Sequence, residues 1–466
     1  MSATPRNLLV VGQGAAGLAA ALSAAEEARK RGSPIRVTVI DKASADEAGG
    51  NTRWSPSYMR MATPDRVEPG FVHDMLVATR FQGDKSYFAR LADDTPATVA
   101  WTASHGVDFI QPTYYLAKGP PRIQPAGGGA ALVKTLTYAA RQAGVIFHHG
   151  CVAHELLAES GRITGLVAMR HGADEIISAD AVILACGGFQ GNGDMMRKHF
   201  GPGAETMQLL SPGTRFGTGE GIRMALALGA ARAGDWNGMH AEPVDARAKN
   251  SAPVVLVYPY GIVVDRQGRR FVDEGAGFVH ETWEWLARDV HFKTPGSKAY
   301  AILDSRLLEI ADYQRAIRSE VPAVRADTLA ALARLIEVDA ETLGATVAVY
   351  NAACVGDPKI FDATRCDGLA ASSVLKPPKS NWARAVVIPP FFAYPLVGAV
   401  AYTFGGLATD DHARVLRDDA PIPGLYAAGE MTGHFYDTAP NAVSVLRALV
   451  FGRIAGRKAV AELGAR

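Results

Sequence analysis

A net excess of either charge is nearly absent from this chain: 48 lysines and arginines stand against 47 aspartates and glutamates, a formal net charge of +1. That balance supplies no electrostatic footprint for nucleic acid or an anionic membrane surface. Cysteine is scarce as well. Cys151, Cys186, Cys354 and Cys366 are widely scattered and form no CxxC pair. A disulfide framework and a bound metal are therefore not expected, and a reducing cytoplasm fits. No apolar run approaches the ~20 residues needed to span a bilayer, and residues 1–7 lack the charged-then-apolar layout of a signal peptide. No repeat of solenoid period is visible. The expectation is a cytoplasmic protein with no direct membrane span and no nucleic-acid partner.

What is plentiful is glycine, 48 in 466 residues, spread along the whole length. A chain of this size exceeds what one core supports, so two domains are expected, one inserted in the other. Residues 7–11 (NLLVV) read as a buried strand, followed by a glycine turn, an Ala-rich helix over 15–31 and a second strand over 37–40, which is one βαβ unit. Residues 152–154, 163–169 and 175–178 read as a β-meander turning near Gly161 and Gly172. Residues 181–184 and 424–428 are further buried strands, and the last 25 or so residues form an amphipathic helix. Residues 236–382 differ in texture, with a strand pair within 262–272, helices over 328–335 and 340–353, and a Pro/Lys connector at 376–379. The expected fold class is α/β: a doubly wound Rossmann-like domain (1–235 and 385–466) carrying an inserted α+β capping domain (236–384).

Gly12-Gln13-Gly14-Ala15-Ala16-Gly17 is GxGxxG at a strand-to-helix turn. Gly12 permits the turn, Gly14 admits a pyrophosphate close to the backbone, and Gly17 lets helix and strand pack. The helix N-terminus adds N–H donors for phosphate, and Asp41 ends the second strand where a ribose hydroxyl needs an acceptor. Later Gly-rich turns favour FAD over NAD. Lys42 follows Asp41, and Gly49-Gly50-Asn51-Thr52 offers backbone amides to a flavin. Ala185-Cys186-Gly187-Gly188, Gly217-Thr218-Gly219-Glu220-Gly221 and Ala428-Gly429-Glu430 repeat the device.

Together with Val450-Phe451-Gly452-Arg453-Ile454-Ala455-Gly456, these stretches resemble the fumarate reductase/succinate dehydrogenase flavoprotein superfamily over nearly the whole chain. Within it the chain is most similar to FAD-dependent tricarballylate dehydrogenases, through His240…Val244-Asp245-Ala246-Arg247, Gly268-Arg269-Arg270-Phe271, Asn351-Ala352-Ala353-Cys354 and Pro378-Lys379-Ser380-Asn381-Trp382-Ala383-Arg384. The resemblance implies FAD between the domains, with the ADP half on the GxGxxG glycines and Asp41. It also implies adenine against the Val152 backbone, the ribityl chain on Glu430, and Ser444 and Val445 beside the flavin's pyrimidine edge. Asn51 stands where respiratory relatives carry the histidine that anchors FAD covalently, so FAD is expected to be non-covalent.

The chemistry implied is oxidation of a saturated C–C bond, or its reverse, with hydride passing to flavin N5 while a base takes the neighbouring proton. His240 matches the family's substrate histidine, and Arg288, in Ala287-Arg288-Asp289-Val290, resembles the segment of the proton-shuttling arginine. Arg247 and Arg384 are candidate carboxylate clamps, Arg270 a structural ion pair with Asp273 or Glu274. Ala401 replaces a second substrate histidine, the late arginine is missing from residues 437–442, and the Thr-Glu…Arg relay gives way to Val254-Val255-Leu256-Val257-Tyr258-Pro259-Tyr260. Those departures argue against succinate or fumarate as substrate. Tyr258, Tyr260 and Tyr402 are candidate replacement donors or bases, and Thr403 is a candidate substrate contact. Three readings follow. One is a dehydrogenase of a small polycarboxylate such as tricarballylate, reoxidised by a separate acceptor, a membrane Fe–S protein being one kind. The second is a desaturase of a ketone or steroid-like ring, or a soluble fumarate-reductase-type enzyme. The third is a non-catalytic electron carrier.

Overall fold

The computed structural model describes residues 5–113, 116 and 119–465. Arg6–Val11 is β1, and the glycine turn after it feeds helix α1, Ala15–Arg31, which Gly32 ends in the left-handed conformation (φ 62°). Strand β2 is Ile35–Asp41, β3 Ile146–His149 and β4 Ala181–Leu184. β1 lies between β2 and β4, β3 flanks β2, and all four run parallel. Ala420–Ala427 continues the sheet beside β4, and Arg414–Arg417 closes that edge antiparallel. Alternation along β1 divides the core between two faces. Leu8 and Val10 pack under α1 and the last helix, Ser444–Gly464. Leu9 and Val11 pack under the expected meander, Cys151–Glu159, Arg162–Arg170 and Ala173–Ser178, and the helix Glu220–Ala227. Both faces are covered, which is why β1 and β4 read as unbroken apolar runs. The Rossmann-like α/β architecture is therefore present.

The second sheet holds β5 (Met239–Asp245), β6 (Ile262–Asp265), β7 (Ala299–Leu303), β8 (Val324–Ala326) and β9 (Phe391–Thr403), with helix α2, Val279–Lys293, packed on β5 and β9. β9 is its spine, pairing antiparallel with β5, β7 and β8. Since β9 pairs with these strands, the boundary expected at 384 falls before a strand that belongs to the cap's sheet. The strand pair expected within 262–272 is present only in its shortest form, an antiparallel bridge across the turn at 265–269. β6 pairs with β7 and meets the later residues only through a bridge between Val264 and Arg270. The helices Leu329–Leu335 and Ala340–Ala353 are present, and the Thr328 side chain caps the first by accepting from Ala331 N–H. Residues 254–260 form two bridges and the 3₁₀ turn Tyr258–Tyr260 instead of a strand.

Candidate active site

One continuous cavity runs from the C-terminal ends of β1 and β2 to the underside of the cap. At its first end the backbone leaves no room for side chains. Gly12 has φ +106°, and a Cβ there would lie 2.4 Å from Ala185 O. The turn thereby aims the N-terminus of α1 into the cavity, where Gly12, Gly14, Ala15 and Ala16 line the wall. Asp41 closes β2 and accepts hydrogen bonds from Gln13 N–H (2.7 Å) and Ala43 N–H (2.8 Å). Burial raises its pKa, and those two bonds oppose the shift. Lys42, Gly50, Asn51, Thr52, Val152, Ala185, Gly187, Gly429, Glu430, Ser444 and Val445 also line the cavity.

Four other residues expected to touch the cofactor do not line the cavity. Gly17 sits behind the turn, where a Cβ would fall 1.8 Å from Gly12 O. Gly49 faces Val133, and Gly219 faces Met195 and Phe189. The Thr218 hydroxyl is taken up by Lys42 and Glu220, and Glu220 lines the cavity in its place.

The chemistry of this lining fits a dinucleotide bearing a polar chain and a flat ring. Glu430 is pushed up to about 7 by burial, against the N–H groups of Thr403 and Gly188. Arg447, which the sequence reading missed, is 1% exposed and stacks over Phe435 at 3.9 Å. It lines the cavity, and its buried Nε has no hydrogen-bond partner in the described structure. A buried guanidinium atom in that state calls for an acceptor on a ligand.

The other end of the cavity is built by β5, α2 and β9. Pairing sets His240 opposite Tyr402, with a register shift between His240 and Ala241, and the two rings stack at 4.9 Å. His240 Nδ1 bonds Glu284 on α2 (2.9 Å) and Nε2 bonds Glu242 (3.2 Å). Burial opposes charge on this imidazole, yet the two carboxylates prevail and hold it at about 9. Burial pushes the Tyr402 phenol well above its ordinary pKa, and Ser444 Oγ donates to its oxygen at 2.7 Å. On α2, His280 and Trp283 also line the cavity, joined there by Arg122 and Arg318 from connecting segments. Burial and then the charges of Arg122 and Arg318 push His280 down to about 3, leaving it neutral between two cations.

The His240 array carries a pH dependence of definite sign. Below about 6.5 the imidazole is protonated in folded and unfolded chain alike, and its contribution is complete. As pH rises towards 9 the folded state keeps a proton the unfolded state has lost, so stability falls. Denaturant unfolding at pH 6 and 9.5 is expected to show a loss on the order of 3 kcal/mol, reduced in His240→Gln. Equal losses in the two proteins would remove His240 as the cause.

Several residues expected at the reacting centre lie elsewhere. Arg288 does not line the cavity: its Nη2 donates to Asn237 O (3.3 Å) and its guanidinium lies 5.3 Å from the Trp285 ring. Arg247 is held by Asp245 through Nε (2.9 Å) and Nη2 (2.7 Å). Arg384 stacks on Phe361 at 3.4 Å beside a separate surface pocket. Tyr258 is buried with its hydroxyl on Thr282 (2.9 Å), and Tyr260 donates to Ala363 O. Thr403 acts from behind the wall, its N–H donating to Glu430 and its hydroxyl accepting from Phe189 N–H. His240 and Tyr402 are brought together; the arginines that accompany them are Arg122 and Arg318.

A Rossmann-like cradle for FAD, closed by a cap that carries polar side chains, defines a flavin-dependent oxidoreductase. The chain belongs to the FAD binding domain family, whose model matches residues 7–442, within the fumarate reductase/succinate dehydrogenase flavoprotein superfamily. It is similar to a probable fumarate reductase of Shewanella frigidimarina, 28% identical over 97% of this chain and 74% of the relative. A urocanate reductase of Eggerthella lenta is 28% identical over 98% of this chain and 75% of its own length. The open conformation of a flavocytochrome c3 fumarate reductase superposes with TM-score 0.77 at 25% identity, over 98% of this chain and 78% of that one. The protein is thus an FAD-dependent oxidoreductase of the fumarate reductase family that acts on carbon–carbon bonds. The kinship is with the superfamily, and these relatives are not tricarballylate dehydrogenases. No helix among the described residues is long and apolar enough to cross a membrane.

Proposed function

We propose that the protein oxidises or reduces a C–C bond in a small substrate whose single carboxylate sits between Arg122 and Arg318. The observation that carries this reading is that Arg122 and Arg318 line the same cavity as His280, whose protonation burial and their two charges oppose. A second carboxylate at the other end would meet the carboxyl groups of Glu242 and Glu284, which already share the one imidazole of His240. This shifts the expectation from a polycarboxylate to a monocarboxylate. FAD, when bound, supplies the hydride exchange. Tyr402, kept protonated by burial and aimed by Ser444, would give its proton to the neighbouring carbon in the reducing direction and be reprotonated from solvent. Asn51 already spends its amide on Ala401 O and its oxygen on Ser211 and Thr214, which supports non-covalent FAD. A separate redox partner completes the cycle.

The relatives suggest the panel: fumarate, urocanate, 4-oxocyclohexanecarboxylate and a 3-oxosteroid, with tricarballylate added. Turnover in either direction is expected to favour the monocarboxylates. Arg122→Met and Arg318→Met should each raise KM roughly ten- to a hundredfold, the worth of a charge-assisted hydrogen bond. Turnover of the steroid alone, unaffected by either substitution, would overturn the carboxylate reading and favour the ketone desaturase that a buried tyrosine also suits.

A further inference from the structure

The cavity has a second pole. Glu242 lines it, and one carboxylate oxygen accepts from His240 Nε2 at 3.2 Å. Glu242 makes no other hydrogen bond or ion pair among the described residues. Its other oxygen opens into the cavity, where a ligand donor can reach an acceptor that no side chain occupies. Between the poles runs a wall of rings: His280 to Trp283 at 4.8 Å, Trp283 to His240 at 5.6 Å, His240 to Tyr402 at 4.9 Å. The ring planes meet at 59°, 70° and 27°, presenting faces and edges in turn, a lining that suits a conjugated ring held between the poles. Resting on the assignment of the carboxylate to Arg122 and Arg318, we propose that Glu242 selects substrates whose opposite end bears an O–H or N–H donor. The ligand class is a planar molecule with a carboxylate at one end and a hydrogen-bond donor at the other. His240 is a positioning residue here, since both its ring nitrogens are bound to carboxylates.

The test is equilibrium binding to the FAD-loaded protein, read from the perturbed flavin absorbance, with no turnover required. The probes are 3-(4-hydroxyphenyl)propionate and 3-(4-fluorophenyl)propionate, nearly equal in size, of which only the first donates. The hydroxy probe is expected to bind about tenfold tighter or more. Glu242→Leu should abolish the difference, and Glu242→Gln, which preserves shape, should shrink it. Equal affinities in the wild type, a difference that survives Glu242→Leu, or no binding of either probe would overturn the proposal. Arg318→Met should weaken both probes alike. If it does while the probes do not differ, the carboxylate assignment stands and the donor pole falls.

Discussion

Gly17→Ala is expected to yield a protein without bound FAD and less stable by about 3 kcal/mol or more, the upper range for overpacking. The added methyl would lie 1.8 Å from Gly12 O, the carbonyl of the turn that aims α1 at the cavity. The helix has nowhere to retreat. On its other side a Cβ at Gly452 would fall 2.3 Å from Ala16 O, and one at Gly456 2.2 Å from Ala20 O, so the last helix already touches its backbone. Relief therefore comes only by moving the turn, which displaces the N–H groups facing the phosphates. Flavin absorbance relative to protein in the purified variant and its denaturation midpoint read both effects. The control is Gly344→Ala, in a helix with nothing within 4 Å of the new methyl. There a gain of about 0.4–1 kcal/mol is expected. A yellow, stable Gly17→Ala protein would mean the turn tolerates a shift the packing forbids.

Glu274→Ala is expected to destabilise the cap by about 3–5 kcal/mol, the cost of leaving buried charge unpaired. Its carboxylate is fully buried and accepts from Val263 N–H (2.7 Å) and from Arg270 Nε (3.0 Å) and Nη2 (2.7 Å). Lys379 Nζ, also fully buried, lies 3.7 Å away and donates to Pro259 O and Gly261 O. Removing Glu274 strands two cations and an N–H of β6 at once. Lys379→Met should cost less, because an apolar chain of similar volume replaces one charge and the Arg270–Glu274 pair remains. Thermal unfolding of the two variants decides the matter. A Glu274→Ala loss below about 1 kcal/mol would show that water reaches this pair.

The parts that were legible from sequence are those governed by local rules. Residues 15–31 and 340–353 were recognised as helices, and 181–184 as a strand, at the bounds observed, because periodicity, glycine stops and apolar runs act over a few residues. Arg270 was recognised as a structural ion pair, and Glu274 is its partner. The reacting end was less legible. Arg288 shares a helix with His280, but eight residues at 1.5 Å each place it about 12 Å further along the axis. A short motif does not reveal which turn of a helix meets a cavity. Arg122 and Arg318 lie in connecting segments without periodicity, and only the tertiary path brings them to His280. Glu242 and Glu284, by contrast, had a usable signal: one alternates with His240 along a strand, the other is four residues after His280.

The 13-residue β9 has a mechanical consequence. It begins among β7 and β8 at the far side of the cap and ends with Tyr402 stacked on His240 and bonded to Ser444 of the last helix. One continuous strand would therefore transmit any tilt of the cap's sheet to the phenol and its bond to that helix. Under the role proposed for Tyr402, any opening of the cap would part that phenol from Ser444, so enclosing the substrate and aiming the hydroxyl would be one event.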